Sequence, residues 1–167
     1  MGDLNIRRAK EYDIPVINKL LYEVHKVHSD VRPDLFKAGA KKYSNDELRE
    51  IFKDDGRPVF VAEKDGAVSY THLDGVISGY VFCIHQQNKG GNMTDVKTLY
   101  IDDLCVDEAV RGMHIGSLLY EYVLDYAGRN GYYNVTLNVW ADNINAVKFY
   151  EKLGLKIQKI GMEKILQ

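Results

Sequence analysis

Between Tyr100 and Tyr120 the chain reads YIDDLCVDEAVRGMHIGSLLY: two adjacent carboxylates, an apolar run, and a glycine-punctuated turn ahead of an amphipathic stretch. Asp102 and Asp103 are groups that can take a proton. A reaction with an amine nucleophile needs one, because alkylamines are mostly protonated near neutral pH. Neighbours on a strand point to opposite faces, so only one of the pair is expected to face a substrate, with Asp102 preferred as base and Asp103 as structural or substrate-binding partner. Farther on, Arg111-Gly112-Met113-His114-Ile115-Gly116-Ser117 leads into a predicted helix. The N–H groups of a helix start lack intrahelical partners and the dipole adds positive character, so such a turn suits a pyrophosphate. Glycine there lets the backbone approach the phosphate oxygens. The spacing is neither the G-x-G-x-x-G of a dinucleotide turn nor the Gly-Lys-Ser/Thr of a P-loop, which weakens both of those readings.

A second stretch reads Asn143-Ile144-Asn145-Ala146-Val147-Lys148-Phe149-Tyr150-Glu151-Lys152-Leu153-Gly154-Leu155. Strand, Arg-Gly-x-x-Ile-Gly-Ser, helix resembles the acetyl-CoA motif Q/R-x-x-G-x-G/A of the GNAT N-acetyltransferases. Arg111 stands in its first place and Gly116 in its last, and His114 occupies the place of the middle glycine. The downstream stretch is similar to the family pattern N-x-x-A-x-x-F-Y-x-x-x-G-F, with Leu155 in the last place. Two motifs in order and suitably spaced make a stronger resemblance than either alone.

The resemblance implies an α/β (α+β) fold: a mixed, mostly antiparallel sheet flanked by helices, with a splayed strand pair that admits acetyl-CoA as cosubstrate. The backbone of Leu104, Cys105 and Val106 would pair with the pantetheine amides, and residues Arg111, Gly112, Met113, His114, Ile115, Gly116 and Ser117 would hold the pyrophosphate. Asn143 would bond the pantetheine arm, Ala146 and Phe149 complete the motif with Phe149 as packing, and Tyr150 would protonate the departing thiolate. A tyrosine hydroxyl can donate as charge develops on a basic leaving group. A side chain at His114 either weakens CoA binding, or adds a charged donor when protonated, or is tolerated, since a residue of ordinary helical conformation can still donate its amide. The acidic pair stands where polyamine-type members carry one, so a small cationic amine or a peptide amine is the expected acceptor. By the same resemblance, Tyr22, His25, His28, Asp34 and Phe36 wall the acceptor pocket and the chain forms a homodimer; Asn138 and Trp140, at the end of the next strand, suit a border of the acetyl or acceptor site and equally suit packing and a turn. The alternative is a catalytically idle acyl-CoA-binding module, for which His114 is the main argument.

The elements that must position these residues follow from periodicity. Leu4 and Ile6 mark a strand; Tyr12, Val16, Leu20, Val24 and Val27 recur at helical spacing after Asp13-Ile14-Pro15, with Asp13 as cap. A helix is expected over Asn45–Phe52 and strands over Val59–Ala62, Val76–His85 and Thr98–Val106. A helix over Ser117–Gly131, a strand over Asn134–Trp140, a helix over Ile144–Leu153 and a last strand in Leu155–Leu166 complete the order β-α-α-β-β-β-α-β-α-β. Asp65-Gly66 and Asp74-Gly75 are both hairpin signals. Between them, Val68–Leu73 reads as an extended tip, or as an insertion, since it equals one frame of a common sequencing-adaptor end.

With 167 residues, 46% of them hydrophobic, the chain suits one domain spanning residues 1–167. A formal net charge of -2 gives no cationic field for nucleic acid, and no run approaches a membrane span. Two cysteines without a paired framework, and an amino terminus without an apolar h-region, point to a cytoplasmic protein. Cys105 reads as a small buried hydrophobe. His25 and His28, three apart on a helix, lack a fixed ligand set, so no metal is expected.

Overall fold

The computed structural model describes residues 4–64 and 76–166; the two Asp-Gly turns and Val68–Leu73 lie outside them. Five strands, β1 (Leu4–Arg8), β2 (Val59–Lys64), β3 (Val76–Gln87), β4 (Lys97–Val106) and β5 (Asn134–Leu137), lie in the order β1-β2-β3-β4-β5. Neighbours are antiparallel except β4 and β5, which run parallel because α3 (Ile115–Arg129) carries the chain back between them. Helices α1 (Ile14–Val31) and α2 (Asn45–Lys53) cover one face, and α4 (Ile144–Lys152) follows β5.

Alternation along β3 feeds both faces. Tyr80 and Phe82 join Ile17, Leu20, Leu21, Leu48 and Ile51 under α1 and α2, whereas Val81 and Cys83 join Leu99, Ile101, Leu119 and Val123 under α3. The two-sided burial explains why β3 reads as a nearly continuous apolar run. Helix α2 starts in a capping box, with the Glu47 amide donating to Ser44 Oγ at 3.2 Å and the Ser44 amide to Glu47 Oε2 at 2.7 Å. Asp13 does not cap α1 with its side chain; its carboxylate instead accepts from Arg7 at 2.8 Å and from the Lys10 amide at 2.8 Å. Asp13 has helical backbone angles, φ -79° and ψ -12°, rather than the extended ones from which a side chain caps the following amides.

Two expectations about strands are corrected. Strand β5 stops at Leu137, leaving Asn138 and Trp140 in the following loop. Residues Leu155–Leu166 form no strand: they carry no regular structure, and Ile157, Ile160, Met162, Ile165 and Leu166 are exposed. A β pattern becomes a strand only when an edge is there to pair with it, and no described strand pairs with this one.

Candidate active site

Strand β4 outruns β5. Their parallel pairing ends at Ile101 with Leu137, while β4 continues to Val106 paired with β3 alone. Beyond Ile101, the β5-facing side of β4 therefore offers main-chain groups to something other than a strand. Leu104, Cys105 and Val106 all lie in this open half. Cys105 is buried, its Sγ 3.6 Å from the Leu20 carbonyl, and burial pushes the thiol up to about 12, which makes it a packing group rather than a nucleophile.

Opposite Phe82, β4 carries a bulge: Asp103 pairs with Phe82 and Ile101 with Cys83, so Asp102 is the extra residue. The bulge cancels the expected alternation. Asp102 accepts from Tyr43 Oη at 2.6 Å, Asp103 accepts from Tyr80 Oη at 2.9 Å, and both tyrosine rings pack on Phe82, at 5.5 and 5.0 Å. Both carboxylates thus stand on the α1/α2 face, where strand geometry alone would have allowed one.

Their surroundings separate them. Asp102 is also 2.8 Å from Lys42 Nζ, so its charge is compensated. Asp103 accepts from the Tyr80 hydroxyl and makes no ion pair among the described residues; desolvation pushes its carboxyl up to about 6, against the opposing pull of Lys42, the Tyr80 hydrogen bond and a main-chain hydrogen bond at Leu104. Tyr150, on α4, is held well above the ordinary phenol range by burial, then by the charge of Asp103 and by Tyr120. That coupling puts the carboxyl of β4 and the hydroxyl of α4 in one electrostatic environment, although they are far apart in sequence.

The loop after β4 leads into α3 through two left-handed residues, Gly112 at φ 82° and His114 at φ 62°. His114 does not take the ordinary helical conformation from which its tolerance was argued; it adopts the one a glycine would favour. Its side chain makes no cap, and the first bond of α3 runs from the Leu118 amide to the His114 carbonyl at 3.0 Å. The amides of Ile115, Gly116 and Ser117 take no partner among the described residues, which leaves three donors at the positive end of a fifteen-residue helix. Arg111 Nε donates to the Val106 carbonyl at 3.2 Å and ties the loop to the end of β4. Met113 is half exposed. A Cβ on Gly116 would sit 3.1 Å from the Phe149 ring, so Phe149 packs α4 against the start of α3. Asn143 caps α4, its Oδ1 accepting from the Ala146 amide at 3.2 Å, and its Nδ2 has no partner among the described residues.

The acceptor-side candidates divide. His28 stacks on Phe36 at 5.3 Å, His25 meets the same ring edge-on, and Phe36 contacts Trp140 at 5.6 Å, closing a narrow cleft with Val27, Val31, Arg32 and Asn143. Burial holds His28 below its ordinary value, with the neighbouring His25 and then Lys42 adding to the effect. Asp34 is occupied by Arg32, at 2.7 and 2.9 Å. Tyr22 is exposed on α1 beneath Lys41, and Asn138 donates to Tyr100 Oη at 3.3 Å outside the cleft. Tyr43, Tyr80 and Lys42, which distinguish the two carboxylates, carried no motif signal; only the register of β3 against β4 and the fold-over of the α1–α2 connection bring them in.

Residues 24–155 match the model of the Acetyltransferase (GNAT) family. The chain belongs to the GNAT acetyltransferase family. It is 34% identical over 68 residues to a glucosamine 6-phosphate N-acetyltransferase of Arabidopsis thaliana, covering 41% of this chain and 44% of that one. It is 28% identical over 120 residues to an uncharacterized N-acetyltransferase of Methanocaldococcus jannaschii, covering 72% and 48%. The chain thus spans about half the length of the curated relatives it matches. A tetramutant of the BH1408 protein from Bacillus halodurans superposes with a TM-score of 0.85 at 29% identity, over 97% of this chain and 99% of that one. The aminoglycoside N-acetyltransferase AAC(6')-Iy, solved in complex with CoA, shares the fold at a TM-score of 0.69 and 13% identity, over 100% and 97%. No helix among the described residues of this GNAT domain is long and apolar enough to cross a membrane.

Proposed function

We propose that this GNAT domain transfers an acetyl group from acetyl-CoA to a primary amine, with Asp103 as the proton acceptor and Tyr150 as the proton donor. The observation that carries the reading is the pairing of a carboxyl raised to about 6 with a phenol held protonated, set beside an open half-strand and a helix start with free amides. The donor set fits the cosubstrate: neutral main-chain groups of Leu104, Cys105 and Val106 suit amides, the amides of Ile115, Gly116 and Ser117 suit a pyrophosphate, and Asn143 Nδ2 is free to donate. When bound, acetyl-CoA supplies an acyl carbon open to a neutral amine.

Asp103 takes one proton from the incoming ammonium, directly or through water, and so frees the nitrogen lone pair for attack. A carboxyl near 6 is ionised at neutral pH yet more basic than an ordinary aspartate, which suits this task. Asp102, paired with Lys42 and bonded by the Tyr43 hydroxyl, forms the wall of the site beside Asp103. The Tyr150 hydroxyl, uncharged at every physiological pH, gives its proton to sulfur as the carbon–sulfur bond breaks. The preference for Asp102 as base thus passes to Asp103, because Asp102 already has two partners.

The decisive experiment follows thiol release from acetyl-CoA against a panel of small and peptide amines across pH. Turnover with a kcat/KM limb near pH 6 that disappears in Asp103→Asn, and a kcat reduced about 10²-fold or more in Tyr150→Phe, are expected. CoA binding without turnover on any amine would favour the idle acyl-CoA-binding reading and sink this one.

A further inference from the structure

The connection between α1 and α2 folds back over the acidic pair and brings an amine with it. Tyr43 anchors it there: its ring stacks on Phe82 at 5.5 Å and its hydroxyl donates to Asp102 at 2.6 Å. Lys42, one residue earlier, has its Nζ 2.8 Å from Asp102 Oδ2, 3.3 Å from the Asp102 carbonyl oxygen and 5.6 Å from the centre of the Tyr43 ring. Among the described residues, Lys42 is the lysine whose ammonium contacts the acidic pair. Its neighbour Lys41 is held instead by the side-chain oxygens of Asn18 and Asn45, at 2.7 and 3.2 Å.

The groups that interact with the Asp103 carboxyl are Tyr80 of β3, Tyr150 of α4, Asp102 and Cys105 of β4, and Lys42; of these, Lys42 carries the positive charge. An amine acceptor comes to the reaction as an ammonium beside Asp103 and must give up one proton there. Lys42 meets that description before any acceptor arrives. Its flexible four-carbon stem lets the ammonium leave Asp102 and swing along the open half of β4, while the anchored backbone keeps the local concentration of amine high. The Lys42 side chain is 42% exposed, so nothing packed around it prevents that movement.

We infer that Lys42 is an acceptor within the chain: the site acetylates its own Lys42 Nζ. The inference rests on the transfer reaction proposed above and uses the same groups. The Lys42 ammonium gives one proton to Asp103, directly or through water. The freed lone pair forms a carbon–nitrogen bond to the acyl carbon of the thioester, the carbon–sulfur bond breaks with its electron pair on sulfur, and sulfur takes the Tyr150 proton. The second nitrogen proton restores the Tyr150 hydroxyl as the amide forms. An ion pair thereby becomes a neutral amide, and Asp102 loses its cationic partner. The modified domain has one more uncompensated carboxylate beside Asp103, which makes Asp103 more basic.

The test incubates the full chain with acetyl-CoA and no other amine, and follows each lysine by peptide mass spectrometry. Lys26 and Lys53, 74% and 70% exposed, are the controls for uncatalysed acetylation, which favours them over Lys42. Lys42 should be acetylated at least about ten-fold faster than either control, at a rate independent of protein concentration, and Asp103→Asn should abolish that preference. In the protein without acetyl-CoA, Lys42→Gln should raise the Asp103 midpoint in an NMR titration by about half a unit or more, and Lys42→Arg should leave it in place. The inference is overturned if Lys42 reacts no faster than the controls, if its rate rises with protein concentration, if Asp103→Asn leaves it unchanged, or if Lys42→Gln does not move the titration. Turnover of free amines by a chain whose Lys42 stays unmodified sinks this inference alone. Acetylation of no amine at all, Lys42 included, sinks the transfer reaction with it.

Discussion

Replacing Asp103 by asparagine should make the domain more stable and stop the reaction at the same time. The carboxyl is pushed from the ordinary 3.8 up to about 6 mainly by desolvation. At 1.4 kcal/mol per unit the shift corresponds to about 3 kcal/mol of destabilisation once the group is ionised, and partial solvent access at Asp103 reduces the expected effect to about 1–2 kcal/mol. The sign follows from linkage. The folded carboxyl holds its proton more tightly than the unfolded one, so its favourable contribution is complete below about pH 4 and is lost as pH climbs through about 6. Asparagine keeps an oxygen for the Tyr80 hydroxyl and carries no charge to desolvate. Urea melts of both proteins at pH 4 and pH 8 measure the difference. The variant should gain about 1–2 kcal/mol at pH 8 and little at pH 4, while amine acetylation falls at least about 10²-fold. A gain of equal size at both pH values, or a loss at pH 8, would refute the claim that desolvated charge is stored at this position.

Three further outcomes are expected. Tyr80→Phe removes the hydrogen bond that favours the Asp103 carboxylate, so the acidic limb of kcat/KM should move to higher pH by about one unit. His114→Gly releases a left-handed residue from its Cβ and should raise stability by about 0.5–1 kcal/mol, or about 1–4 °C in Tm, with CoA affinity changed less than about three-fold; His114→Ala, which keeps the Cβ, should show no such gain. Gly79→Ala places a Cβ 2.7 Å from the Cys105 carbonyl oxygen, so the end of β4 must shift, and both stability, by about 1–3 kcal/mol in thermal melts, and CoA affinity in titration calorimetry should fall.

Much of the site was legible because its chemistry is carried by local sequence. A helix start with free amides needs only a turn and a helix, both specified within Arg111–Ser117, and the Asn143–Leu155 stretch marks the helix that carries Tyr150; that Asn143 caps α4 came from the structure. The element order was equally legible, since periods of 2 and 3.6 residues record which face each segment buries. Where the reading failed, pairing between distant strands decided. Alternation assigned Asp102 and Asp103 to opposite faces, and a bulge against Phe82 put them on one. The pattern of residues 155–166 is that of a strand, but no described strand pairs with them. Tolerance of His114 was argued from helical geometry, and the tight entry to α3 demanded a left-handed residue.

The sequence by itself therefore determined the kind of protein: the family and the identities of the ionisable groups, because each rests on residue type and short spacing. The tertiary structure decided which carboxylate is the poised one. Desolvation and the Tyr80 hydroxyl distinguish Asp103 from the Lys42-paired Asp102, and both come from segments brought together only by the register of β3 on β4 and the folding of the α1–α2 connection across it. A pKa is a property of surroundings, and surroundings exist only once the chain has folded.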